Sequence, residues 1–197
     1  MEKEKKRSAK TKIIDAAWKL FRKQGYEGTT INQIITVSGT SRGAFYHNFR
    51  GKEDLMFCLA YFFDTDYDNW LDALDPAMHS LDKLFALDAF VLKNLEDSEY
   101  RPFLPQLYGM QVMTEGTRHI LNPNRKYYQI VYTFMKEGLA RGEIKSELPY
   151  QELAEYFIMI ERGFVYDWCL NKFRYSLYRC GQRIIKLYLD SLRAQQS

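Results

Sequence analysis

An all-α chain in two parts is the fold class this sequence predicts, and three observations carry the prediction. Of its 197 residues 46% are hydrophobic, with only 5 Pro and 11 Gly, which is enough apolar matter for a sizeable helical core. Apolar residues recur at helical spacing between clear breakers, and strand-like alternation is scarce. The stretch from Thr29 to Leu55, TTINQIITVSGTSRGAFYHNFRGKEDL, reads as two short helices around a glycine turn with a third beginning behind them. Residues 1–51 are therefore expected to form a basic arm and a small three-helix domain, and residues 52–197 a larger helical domain.

The first helix is expected over Thr11–Gln24, where Ile13, Ala16, Ala17, Leu20 and Phe21 make an apolar stripe before Gly25 ends it. Thr30 caps the second, and Gln33 at N3 completes a capping box in which each side chain satisfies an orphan backbone donor. Within it Ile31, Ile34, Ile35 and Val37 follow helical spacing, and Gly39 supplies the freedom the turn requires. Ser41 is a good N-cap for the third helix. There Phe45 and Phe49, four apart, face inward and leave Arg42, Gly43, Tyr46 and His47 outside. Gly51 breaks the chain again, and Lys52-Glu53-Asp54-Leu55 opens a helix whose acidic first turn suits the positive end of the helix dipole. Two helices joined by so short a turn match the helix-turn-helix pattern, whose second helix enters the DNA major groove.

Charge supports that reading independently. Residues 1–53 hold 12 Lys/Arg against 5 Asp/Glu, a balance of +7, whereas residues 54–197 hold 16 against 20, a balance of −4. Base is concentrated where DNA would lie. Lys3, Lys5, Lys6, Arg7 and Lys10 form either an arm that approaches phosphates or a solvated terminus that contributes only solubility.

Beyond Lys52 a helix is expected to about Leu74, stopped by Asp75-Pro76. In it Leu55, Cys58, Leu59, Phe62 and Phe63 give the stripe, and Asp64, Asp66 and Asp68 read as solvated charge, since alternate positions on a helix do not converge on a metal. Further helices are expected over His79–Leu95, Arg101–Gly116, Asn124–Arg141, Tyr150–Leu170 and Arg174–Leu192. The last two carry apolar surface wider than one neighbour covers, with Phe157 and Phe164 on the penultimate helix and Leu177, Gly181, Ile184 and Tyr188 on the final one. These residues serve either a dimer interface or the chain's own core. Tyr108, Met110, Met113, Tyr127, Phe134, Met159, Tyr166 and Trp168 can line a pocket for an apolar or aromatic small molecule, or fill helix interfaces.

The run IIDAAWKLFRKQGYEGTTINQI, then SGTSRGAFYHNF, then KEDL resembles the N-terminal signature of the TetR/AcrR family of transcriptional regulators, over roughly residues 8–56. A weaker echo is EGLARGEI at residues 137–144. The resemblance implies a total of about nine helices, a four-helix-bundle homodimer reading a pseudo-palindromic operator in double-stranded DNA, and release by a small effector. It implies that Thr30 and Lys52 touch phosphates, that Ser41, Arg42 and Gly43 lie at the entry to the recognition helix, and that Tyr46 and His47 grip the backbone. Arg42 is either a bidentate guanine contact or a phosphate contact, and Gly43 allows close approach to a base edge. Where many members have Ser or Thr before the Lys-Glu pair this chain has Gly51, so the cap there is expected to be weaker.

Other classes fare worse. His47, His79 and His119 stand apart, without a metalloprotease motif, nucleophile elbow or phosphate loop, so neither a catalytic constellation nor a cofactor site is expected. Cys58, Cys169 and Cys180 form no CxxC pair and read as ordinary helix residues. No run approaches a membrane span or a secretory signal, which points to the cytoplasm. An effector-independent DNA-binding scaffold on the same fold remains open, as does, more remotely, a helical-bundle enzyme.

Overall fold

A computed structural model describes residues 8–64 and 66–194; the expected basic arm lies largely outside them. Among the described residues there are eleven α-helical segments, two 3₁₀ turns and one isolated antiparallel bridge, Ile144 with Arg193. The chain divides into two compact units, with the boundary between Leu59 and Ala60. That is later than Gly51, and the fully buried Leu55, Met56 and Leu59 fall on the first unit's side of it.

In the first unit α1 (Ala9–Gln24) is capped by the Ser8 hydroxyl, which accepts from the Thr11 N–H and starts the helix before Thr11. It buries Ile13, Ala16, Ala17, Leu20 and Phe21 as expected, and Trp18 as well. α2 (Ile31–Ser38) and α3 (Arg42–Asn48) pack on it, held apart by Gly39 at φ 62°. That left-handed geometry costs an L residue roughly 1 kcal/mol, and glycine avoids the cost. The stripe on α2 is narrower than expected: Ile34 is buried, but Val37 is 47% exposed, because so short a helix turns only one residue fully inward. α4 (Lys52–Phe57) has no side-chain cap, consistent with Gly51; Asp54 reaches back instead to accept from the Arg50 N–H at 2.7 Å.

The single helix expected from Lys52 to Leu74 is three pieces: α4, α5 (Leu59–Phe62) and α6 (Tyr67–Asp72). Tertiary bonds override the periodicity. Asp64 is pulled into a two-pronged ion pair with Arg125, both oxygens at 2.8 Å, while Tyr67 is fully buried. Asp64 is thus no solvated charge, although Asp66 and Asp68 remain exposed.

The second unit is a bundle of α7 (Ser80–Asp97), α8 (Leu104–Met113), α9 (Lys126–Ala140), α10 (Tyr150–Leu170) and α11 (Leu177–Leu192), close to the expected positions. Pro102 and Pro105 confine the approach to α8 to a 3₁₀ turn and its first helical positions, where a missing N–H costs nothing. α7 packs against α9 and α11, and α9 against α10. Their shared core holds Leu84, Leu87, Val131, Met135, Leu153, Phe157, Ile185 and Leu189. The end of α11 is tied down by Lys145 N–H to Leu192 O at 2.9 Å and Ala194 N–H to Glu143 O at 3.1 Å.

Candidate nucleic-acid interface and effector cavity

The first unit presents α3 as a two-faced helix. Phe45 and Phe49, at 0% and 4% exposure, anchor it, and Arg42, Gly43, Tyr46 and His47 all face solvent on the other side. Ser41 fixes the start by accepting from the Ala44 N–H at 3.0 Å. The Arg42 guanidinium lies 5.8 Å from the Tyr46 ring centre, a stacking contact between i and i+4 that pre-orders the arginine. A Cβ on Gly43 would meet only the Ser41 hydroxyl at 3.8 Å, so nothing inside the protein demands glycine there; the open space faces outward.

Ahead of α2 the capping box is complete: Thr30 N–H donates to Gln33 Oε1 at 2.9 Å, and Gln33 N–H donates to Thr30 Oγ1 at 3.3 Å. Gln24 at the end of α1 donates to the same Gln33 oxygen at 3.1 Å and to Gly28 O at 2.6 Å. Lys52 is placed differently from the free phosphate-binding charge that the motif suggests. Its ammonium donates to Tyr26 O at 2.8 Å and Thr29 O at 3.0 Å, and sits 4.0 Å from the Tyr26 ring centre. Two of three donors are therefore used within the fold. Burial, then the charges of Glu53 and Glu27, push the Tyr26 phenol well above its ordinary pKa, so it stays neutral beneath the ammonium.

In the second unit a cavity of about 100 Å³, partly open to solvent, runs among α5 to α10. Phe63, Phe90, Leu92, Leu95, Leu104, Leu107, Ile158 and Val165 give it apolar walls, and Tyr67, Tyr108, Tyr127 and Tyr128 give it aromatic faces with hydroxyls. Of the pocket residues expected from sequence, Tyr108 and Tyr127 line it. Phe134 is buried in the core, Met110 is half-buried away from the lining, and Met113, Met159 and Tyr166 are 85%, 55% and 47% exposed. Those last three point outward because they fall off the buried face of their helices. Trp168 is buried and donates its indole N–H to Tyr175 O at 2.8 Å.

Charged groups in the wall were not anticipated. Arg125 is neutralised by Asp64, whose carboxylate outweighs the penalty of burying the guanidinium. Arg162 donates to the Tyr128 hydroxyl at 3.3 Å. Glu161 takes a hydrogen bond from the Tyr127 hydroxyl and lies against Asp88, itself held by Gln182 at 2.5 Å. Burial, then the neighbouring Asp88, push the Glu161 carboxyl well above the usual range. Burial pushes Asp88 up to about 6, against hydrogen bonds from Glu161 and Gln182 that lower it. The signal was present in the sequence: Asp88 interrupts the stripe Leu84–Leu92 and Glu161 the stripe Phe157–Val165, each an acid at a core position of its helix.

The residues assigned to dimerisation separate. Phe157 and Leu177 are fully buried within the chain, and Gly181 answers to Leu92 of the same chain, whose Cδ1 would lie 2.1 Å from an added Cβ. These three serve the chain's own core. Phe164 and Tyr188 are half-buried, the latter donating to Leu153 O at 2.9 Å, and Ile184 is 43% exposed.

Residues 13–58 match the family model described as bacterial regulatory proteins, tetR family. The HTH-type transcriptional repressor BepR of Brucella suis is 24% identical over 98% of this chain and 97% of its own. The HTH-type transcriptional regulator LmrA of Bacillus subtilis is 50% identical, over 24% of this chain and 26% of its own. Among solved structures, FadR of Thermus thermophilus, a TetR family repressor in complex with lauroyl-CoA, superposes with a TM-score of 0.74 at 15% identity, covering 95% of this chain and 97% of that one. FadR of Bacillus subtilis in complex with stearoyl-CoA gives 0.70 at 20% identity, covering 93% and 99%.

Proposed function

Because this chain belongs to the tetR family of transcriptional regulators, we propose that it acts as a homodimeric repressor of a pseudo-palindromic operator, released by a small, largely apolar or aromatic effector. The observation that carries the reading is α3, whose Arg42, Gly43, Tyr46 and His47 all face solvent opposite a fully buried Phe45. In the proposal Ser41, Arg42 and Gly43 at the entry to the recognition helix specify sequence, while Tyr46, His47 and the N-terminus of α2 at Thr30 hold phosphates. Lys52 serves the same end by fixing the turn before α2. The protein works by binding alone, with no catalytic step, in the cytoplasm where its DNA lies. Among the described residues, no helix is long and apolar enough to cross a membrane.

The cavity supports the effector half of the reading, since apolar walls with a few converging polar groups are what small-molecule sites present. The acyl-CoA complexes of the two FadR proteins are in keeping with it. Ligand release follows if the effector prefers a conformation whose recognition helices no longer match the operator spacing. For the dimer, support comes from the exposed apolar residues of α10 and α11, among them Leu170, Ile184 and Leu187 at 63%, 43% and 71%.

The test is fluorescence anisotropy with duplex DNA from the region upstream of the protein's own gene, titrated at several salt concentrations. Binding whose affinity falls steeply with salt is expected. Arg42→Ala should narrow the gap between specific and random DNA by about 1–3 kcal/mol. Equal weakening on every sequence would assign Arg42 to phosphate, and an absence of DNA binding would reject the proposal.

A further inference from the structure

Glu161 is an unusual residue to find in the wall of an apolar cavity, and a second acid, Asp88, is buried against it. Glu161 is 4% exposed and Asp88 is fully buried, and neither has an Lys or Arg partner among the described residues. Each carboxyl has one oxygen satisfied, Glu161 by the Tyr127 hydroxyl and Asp88 by Gln182. The other two oxygens, Glu161 Oε1 and Asp88 Oδ1, are buried and receive no hydrogen bond from a fixed donor. The two carboxyls lie close enough that the charge of one opposes ionisation of the other, so the pair keeps at least one proton more readily than two isolated acids would. Removing that proton leaves two anions side by side in a poorly solvated wall, a state that only a positive charge can relieve.

We propose that the effector is a lipophilic cation, an amine or quaternary ammonium carried on an apolar body, whose charge takes the place of the proton shared by Asp88 and Glu161. This rests on the effector reading above and names the class of molecule. The surroundings of Glu161 fit it. Tyr127 meets the acid directly, and Tyr67 and Tyr108 add ring faces that attract a cation. Burial raises the phenols of Tyr67, Tyr108 and Tyr128, so no phenolate competes for the site at neutral pH. The positive groups of the wall are Arg125, already neutralised by Asp64, and Arg162, which donates to the Tyr128 hydroxyl. Arg162 is what an anionic amphiphile would use instead, and the test must separate the two.

Cation and proton compete for the pair, which sets the sign of the pH dependence. Asp88 is pushed up to about 6 and Glu161 is raised further, so affinity for the cation rises as pH climbs through that range and falls as the proton returns.

The experiment is isothermal titration calorimetry of the full chain with decyltrimethylammonium and with decyl sulfate, amphiphiles of equal tail and opposite charge, each below its micelle-forming concentration. The cation should bind at least about tenfold more tightly than the anion near neutral pH, with an affinity that weakens toward acid. Glu161→Gln should remove about tenfold or more of the cation's affinity and most of its pH dependence, while circular dichroism shows the helices intact. Asp88→Asn leaves Glu161 ionisable without its competitor and should move the pH dependence to lower pH, which keeps the inference testable if the first variant folds poorly. Tighter binding of decyl sulfate, binding of neither amphiphile, or an unchanged cation affinity in Glu161→Gln would each overturn it. Operator binding is measured separately: DNA binding without cation binding rejects this inference alone, and cation binding without DNA binding rejects the repressor alone.

Discussion

The ammonium of Lys52 donates to the carbonyls of Tyr26 and Thr29, which ties the start of α4 to the turn between α1 and α2. Hydrogen bonds from a charged donor to part-buried carbonyls contribute about 1–3 kcal/mol, so Lys52→Met should lower the unfolding free energy by that order. Urea denaturation of the full chain is the check. A variant of unchanged stability, with the salt slope of DNA binding reduced by about 1, would return Lys52 to the role of a phosphate contact. The residue type was legible in the sequence, since Lys-Glu after a glycine opens a helix. Its partners were not, because they are main-chain oxygens whose positions depend on how the preceding turn folds. The same holds for Asp64, whose partner Arg125 lies far along the chain.

Elements were read best where their signals are local. The capping box at Thr30 and Gln33, the turn at Gly39 and the cap at Ser41 each depend on neighbours within a few residues, and each is present. The helix from Lys52 was misread because its aromatic and acidic residues carry mixed periodicity, and long-range pairing then decides where the chain bends. Gly181 on α11 shows a second way to misread a pattern. It signals close approach, and the approaching group is the Leu92 side chain of α7. Gly181→Ala should therefore overpack the α7–α11 contact and destabilise the chain by about 1–3 kcal/mol. Thermal unfolding at several protein concentrations tests this: a loss independent of concentration is expected, whereas one that fades at high concentration would place the glycine at a subunit interface.

For the whole molecule, the buried acid pair predicts how stability varies with pH. Asp88 holds its proton to about 6 when folded, against an unfolded value near 4, so the folded state binds more protons across that window. Stability is then greater on the acid side of the window and is lost as pH rises through it. Asp88→Asn should leave the melting temperature little changed near pH 4 and raise it relative to the parent near pH 7, because an amide cannot ionise. Calorimetric scans across this range should show the two melting temperatures converge toward acid and separate toward neutral pH; a gap that does not change with pH would refute it. Assembly is a separate matter of surface. Leu187, 71% exposed on α11, has no role within the chain, so Leu187→Glu should weaken a dimer by an order of magnitude or more in sedimentation equilibrium while the monomer folds normally. Unchanged association would move the interface elsewhere.

By itself the sequence determined the class of fold, the order of its helices, and the face of α3 that is free to meet DNA. Those features rest on periodicity, caps and turns, interactions that act over a few residues. Only the tertiary structure decided which aromatics wall a cavity and which simply fill the core, that Lys52 is engaged within its own unit, and that Asp88 and Glu161 meet. Each of these is a contact between residues many positions apart, and one helical stripe looks the same in sequence whether it faces a core, a ligand or a second chain.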